Sequence, residues 1–324
     1  MALVQVRQSA SNPWAQPHNW SSRTFIPLEL VDYILRFVDK NKDLIACTLV
    51  SRQWCYLAQS ILFHEVDVEC DKEPGRSRLL PRLAQFMKQP QTMTIHTRSL
   101  MITGEDLSPI ELCHHVLHDV LVHLPRLRSL CLGSLDFSGC TADCRERPFD
   151  PTPISLASVR VEIGFRQDWL VETVNFLRLF GDVERFDAGL IDGGLEGPMG
   201  PVEAGYELRL EKLQLPEHLA IQVLQTGPVT SYNPLLPILA LTRTAQSLDD
   251  LEMYFPQNQI YVDATGVLLQ SAGRNLRSIH ITLWQWQDDS EFVFRTLETV
   301  SYVGFLSRKS ISIGITCTHR LVRT

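Results

Sequence analysis

The residues best suited by type to do chemistry in this 324-residue chain are histidine and cysteine, and their spacing decides what they can do. Cys113-His114-His115-Val116-Leu117-His118, with His123 following, puts imidazoles at i and i+4, where two ring nitrogens on one helix face can share a metal. No acidic residue stands between them as in a zinc-protease motif, and Cys113 falls on an apolar stripe, so the cluster reads as a solvated histidine face. Cys140 and Cys144 lack a second pair at zinc-finger distance and read as free loop thiols. Gly193-Gly194-Leu195-Glu196-Gly197 lacks the Lys-Ser/Thr that follows the last glycine of a phosphate loop, and no G-x-S-x-G elbow occurs. No catalytic, cofactor-binding or metal-binding residue is therefore assigned, and the expectation is a protein that is not an enzyme. Trp284 and Trp286 alternate with polar residues. They read as packing under a neighbouring element or, if exposed, as rigid aromatic anchors for a protein substrate.

Composition narrows the classes further. Hydrophobic residues make up 44% and charged residues 21%, ordinary for a globular protein, and no run approaches the roughly 18 apolar residues of a membrane span. Thirty Lys+Arg against 37 Asp+Glu give a net charge of −7, which opposes broad capture of nucleic acid or anionic membrane and favours protein partners. Eight cysteines are too sparse for a disulfide scaffold, so a reducing, cytoplasmic or nuclear setting is expected. Lys72, Arg76, Arg78 and Arg82 form a small basic patch that reads as a solvated linker.

The elements that must position these residues fall into three stretches. Residues 1–24 carry no periodicity and read as an unfolded tail. From 25 to 68 the pattern predicts three short helices. The first opens with Pro27 in its first turn and carries Leu28, Val31, Ile34, Leu35 and Val38 as one stripe. The second is capped by Asp43, the third by Ser51. The alternation from His64 to Glu69 predicts a strand. Three helices in so few residues bury little surface alone, so this unit is expected to lean on a partner.

From 69 to 324 an apolar-x-x-apolar-x-apolar pattern recurs. It is read at Leu127/Leu130/Leu132, Leu156/Val159/Val161, Leu210/Leu213/Leu215, Leu248/Leu251/Met253 and Leu276/Ile279/Ile281. Weaker copies lie at Leu100/Ile102, Val183/Phe186/Ala188 and Leu297/Val300/Tyr302. Helical stretches separate them, holding Cys113 to Leu124, then Leu170, Val174, Leu177 and Phe180, then Val267, Leu268 and Ala272. A strand plus a helix about every 28 residues, neither able to close a core alone, predicts a stacked α/β solenoid. The glycine-rich stretch from Gly189 to Gly205 is expected to leave it as a loop.

The first of these regions resembles the F-box family. The residues that carry the resemblance are Ile26-Pro27-Leu28-Glu29-Leu30, Ile34-Leu35, Leu49-Val50-Ser51-Arg52-Gln53-Trp54 and Ile61-Leu62-Phe63, with Ile26 standing where leucine is commoner. The resemblance implies a docking module for the Skp-type adaptor of a cullin ubiquitin ligase, drawing its surface from Pro27, Leu28, Glu29, Leu30, Ile34, Leu35, Leu49, Val50 and Trp54. Residues 69–324 resemble degenerate leucine-rich repeats, which implies that they hold a protein substrate of unknown identity. They depart from that family at Leu135, Gly164, His218, Pro256 and Trp284, where Asn or Cys is standard. The expected fold is therefore an N-terminal three-helix F-box module followed by an irregular leucine-rich-repeat-like α/β solenoid. The expected function is a substrate-recognition adaptor without cofactors, and the alternative is an F-box-fold interaction scaffold acting outside ubiquitylation.

Overall fold

A computed structural model describes residues 26–70, 79–88, 92–104, 110–136, 149–163, 170–189, 215–227, 235–254, 259–272, 275–284 and 312–318. The chain divides between Ala58 and Gln59 into two compact units.

The N-terminal unit holds α1 (Leu28–Leu35), α2 (Asn41–Thr48) and the first half of α3 (Arg52–Leu62). Pro27 is the N-cap of α1 rather than its first helical residue, and its carbonyl accepts the amides of Leu30 and Val31 at 3.0 and 3.2 Å. Helix α2 begins two residues before the expected cap. Lys40 occupies the N-cap, and Asp43 sits in the first turn, where its carboxylate faces the positive end of the helix. Ser51 caps α3 as expected, its Oγ accepting the Trp54 amide at 3.3 Å.

The second unit is an α/β structure built on one parallel sheet. Its strands are β1 (Glu65–Cys70), β2 (Ser99–Gly104), the short β3 (Ile110–Glu111), β4 (Ser129–Asp136), β5 (Ile154–Ile163), β6 (Phe180–Gly189), β7 (Ala220–Thr226), β8 (Asp250–Tyr254), β9 (Ser278–Trp284) and β10 (Ser312–Thr318). Apart from β3, which pairs with β4, each strand lies beside its predecessor in the chain. Between them run α4 (Leu79–Met87), α5 (Thr92–His96), α6 (His114–Leu121), α7 (Leu170–Leu177), α8 (Leu235–Ala240), α9 (Thr244–Ser247) and α10 (Gln259–Ala272). Parallel strands joined by helical crossovers need a dozen or more residues per step, which the period supplies.

The register explains the sequence pattern. One row of paired residues runs Val66, Leu100, Leu130, Val159, Phe186, Leu224, Leu251, Ile279, Ile313. A second runs Val68, Ile102, Leu132, Val161, Ala188, Thr226, Met253, Ile281, Ile315. From β2 to β9 every side chain in both rows is buried, and together with the helices' inner faces they form one continuous core. Strand entry repeats as well. The carbonyl of Arg98 accepts the amides of Arg128 and Ser129, that of Arg128 accepts Ala157 and Ser158, and that of Asp249 accepts Arg277 and Ser278.

Three expectations shift. The copy expected at Leu210 to Leu215 lies, apart from Leu215, outside the described residues. The row is filled by Ile221, Leu224 and Thr226 of β7, so the 38-residue interval falls between Phe186 and Leu224 instead. The last strand places Ile313 and Ile315 in the rows, whereas Leu297, Val300 and Tyr302 lie outside the described residues. Phe180 opens β6 rather than closing α7, and Val267 is exposed on α10, whose inward residues are Leu268, Leu269 and Ala272. The tail 1–24, Lys72, Arg76, Arg78, Cys140, Cys144, Gly164, Gly193 to Gly197, Leu210, Leu213, Pro256 and Trp286 also lie outside the described residues. Trp284 is the last residue of β9 and pairs with Thr318.

Candidate docking surface

The helical unit exposes more large apolar side chains than it buries. Its buried residues are Val31, Leu35, Leu44 and Ala58, while Ile26, Leu28, Leu30, Tyr33, Ile34, Phe37, Ile45, Leu49, Val50 and Tyr56 are exposed. Those ten stand against seven such residues in the rest of the described chain, so the apolar surface is concentrated on this unit. A concentration of this kind marks a surface that another molecule covers.

Helix α1 shows how the concentration arises. Val31 and Leu35, four residues apart, share the buried face. Leu30, Ile34 and Phe37 recur at i, i+4 and i+7 on a second stripe, about a third of a turn away. The single stripe expected from the sequence is therefore two faces, one inward and one outward. Tyr33 and Phe37 meet edge to face on the outward side with ring centroids 4.9 Å apart, a geometry that holds both aromatics in place. Arg36 and Asp32 form an ion pair at 2.9 Å along the same helix.

The residues that the sequence assigns to a docking surface separate by burial. Pro27, Leu28, Glu29, Leu30 and Ile34 are exposed on α1 or just before it. Leu49 and Val50 follow α2 with 85% and 63% of their surfaces accessible. Trp54 is half-buried. Leu35 leaves the candidate surface, because its side chain is 0% exposed and its place on α1 is the inward one. Sequence reasoning missed Tyr33 and Phe37, at 61% and 67% exposure, and Ile45 and Tyr56, which are also exposed. Their signal was present: α1 is apolar on too many sides for a helix with one buried stripe.

The histidine cluster is not the solvated face that its polarity predicts. His114 is 1% exposed, and its ring lies 4.2 Å from that of His115 and edge-on to Phe149 at 4.5 Å. His115 and His118 approach the same phenyl ring at 4.7 and 6.0 Å, and the Arg178 guanidinium lies 6.0 Å from its centre. Burial, with His115 and Arg178 adding to it, pushes the His114 pKa down to about 3. Burial likewise lowers His118, against the opposing pull of Asp119. The three rings pack edge-on about Phe149. Among the described residues no group of three or more His, Cys, Asp or Glu is placed to hold a metal ion, and no helix is long and apolar enough to cross a membrane.

Compared with models of known protein families and with curated protein sequences, the chain shows no match, so its function is argued from its own geometry.

Proposed function

We propose that this chain is a non-enzymatic substrate-recognition adaptor. Its N-terminal helices dock onto a Skp-type protein, through which a cullin is recruited, and its leucine-rich-repeat-like sheet region holds a protein substrate for ubiquitylation by other subunits. One observation carries the reading. The residues that match the F-box pattern in order and spacing coincide with the exposed apolar surface, since Pro27, Leu28, Leu30, Ile34, Leu49 and Val50 are all accessible. Two exposed turns of α1 and the α2–α3 junction offer the mixture of aliphatic and aromatic anchors that protein interfaces use at their centres. The row-by-row order of the sheet supports the second half of the reading, because stacked strand–helix layers present an extended surface suited to a large partner.

The test is direct association of the purified full chain with a purified Skp-type adaptor, followed by addition of a cullin. A complex of all three supports the proposal. Two folded proteins that fail to associate would sink it, and adaptor binding without cullin recruitment would favour a scaffold acting outside ubiquitylation.

A further inference from the structure

Among the described residues, the side of the sheet opposite the core is acidic. Where the core rows are buried, the alternate row between them, from Asp67 to His280, and the row before it, from Glu65 to Ser278, contain only exposed or half-exposed side chains. Strand β1 presents Glu65, Asp67 and Glu69 on this side, and β8 presents Asp250 and Glu252 at the matching registers. The two arginines in these rows are already engaged. Arg160 pairs with Glu162 at 2.9 Å, and Arg185 pairs with Asp187 at 3.0 Å while also donating to Gln225. Among the described residues, none of the five carboxylates on β1 and β8 has a basic side chain in ion-pair contact, although Asp250 accepts a hydrogen bond from Ser278 at 2.6 Å.

We propose that this face binds an extended, basic protein segment whose cationic residues sit at its two ends. Six strand spacings separate β1 from β8, about 29 Å at ~4.8 Å each, which an extended chain of about eight or nine residues spans. The middle of the face calls for uncharged residues in that segment. Met101 is exposed on β2 beside the β1 carboxylates, the arginines of β5 and β6 are neutralised in place, and Cys131 of β4 holds its proton because burial raises its pKa, with nearby Arg160 opposing. A nucleic acid is disfavoured by the same carboxylates that attract a basic peptide, and the long-range attraction would speed association at low salt. The inference deepens the adaptor reading by giving the chemical class of the substrate, and it rests on that reading to this extent; the binding itself requires only the sheet.

The experiment uses the full chain and a labelled peptide about ten residues long. The peptide carries two lysines at each end with serine and alanine between them, and an otherwise identical peptide carries glutamates. The lysine peptide is expected to bind at least about tenfold more tightly, with an affinity that falls as ionic strength rises. The variants Glu65→Gln/Asp67→Asn/Glu69→Gln and Asp250→Asn/Glu252→Gln, close in shape to wild type, should each lose about fivefold or more. Glu217→Gln, off this face, should lose nothing. Equal affinity for the two peptides, or a loss in Glu217→Gln as large as in the sheet variants, overturns the proposal. Adaptor association measured on the same proteins keeps the two ideas apart. A chain that binds the peptide but no adaptor refutes the functional reading alone, and one that binds the adaptor but neither peptide refutes this surface alone.

Discussion

Leu30→Asp separates docking from folding better than any other substitution on the helical unit. Leu30 is the third residue of α1 and 51% exposed. A carboxylate in the first turn faces unpaired amides and the positive end of the helix, a placement that stabilises by about 0.3–1 kcal/mol. The half of Leu30 already covered in the folded chain contributes about 0.8–1.5 kcal/mol, so the carboxylate offsets only part of its loss and the variant should melt slightly below the wild-type temperature. Docking loses far more. Fully burying a leucine contributes about 1.5–3 kcal/mol, so the half still accessible has about 0.8–1.5 kcal/mol left to contribute when a partner covers it. The variant loses that contribution and must also strip water from a carboxylate, which costs several kcal/mol if no cation meets it. The sum is at least ~3 kcal/mol, or roughly a hundredfold weaker binding to a Skp-type adaptor. Leu30→Ala, losing only the apolar part, should weaken binding by about four- to twelvefold. Titration calorimetry of each full-length variant with the adaptor, beside a thermal melt by circular dichroism, reads both quantities. Leu30→Asp binding within about threefold of wild type would show that this stripe of α1 stays in water and that the surface lies elsewhere.

Two further predictions concern the sheet unit. Thr226 stands in an otherwise apolar row, 2% exposed, with its hydroxyl lacking a hydrogen-bond partner among the described residues, so Thr226→Val should raise stability by about 1–2 kcal/mol in urea unfolding; an unchanged or lower midpoint would contradict the register. His114 titrates at about 3 in the folded chain and near 6.5 when unfolded, so the unfolded state alone gains this proton between those values and stability falls as pH drops through that window. At pH 5 the loss from this one ring is about 2 kcal/mol, and above pH 6.5 it vanishes. Urea midpoints at neutral and acid pH should show a smaller difference in His114→Phe than in wild type, and an equal difference would refute the assignment.

Much of the sheet was legible because burial on one side writes a repeating signature. Leu130, Val159, Leu251 and Ile279 stand out by sequence alone, and the structure pairs them through shared rows. The signature failed where it was most ambiguous. Leu210, Leu213 and Leu215 match the leucine pattern better than Ile221, Leu224 and Thr226, yet the latter occupy the row; a polar residue at the third place hid the true strand. The docking surface was half legible for a related reason. Spacing picks out apolar residues on α1 but does not say which of Ile34 and Leu35 points inward, because a helix with two apolar faces has no polar side to orient it. The histidine cluster misled in the other direction. Its burial depends on Phe149, which precedes β5 and is distant in sequence.

The row of core residues also says something about descent. Successive members lie 29, 27, 38, 27 and 28 positions apart between Leu130 and Ile279, yet the register passes through the long interval without slipping. Selection on such an array acts on two or three side chains per layer, while the lengths between layers drift. Two proteins could share every rung of this ladder after their intervening segments had changed beyond alignment, so kinship among them would survive in geometry long after it had faded from the text.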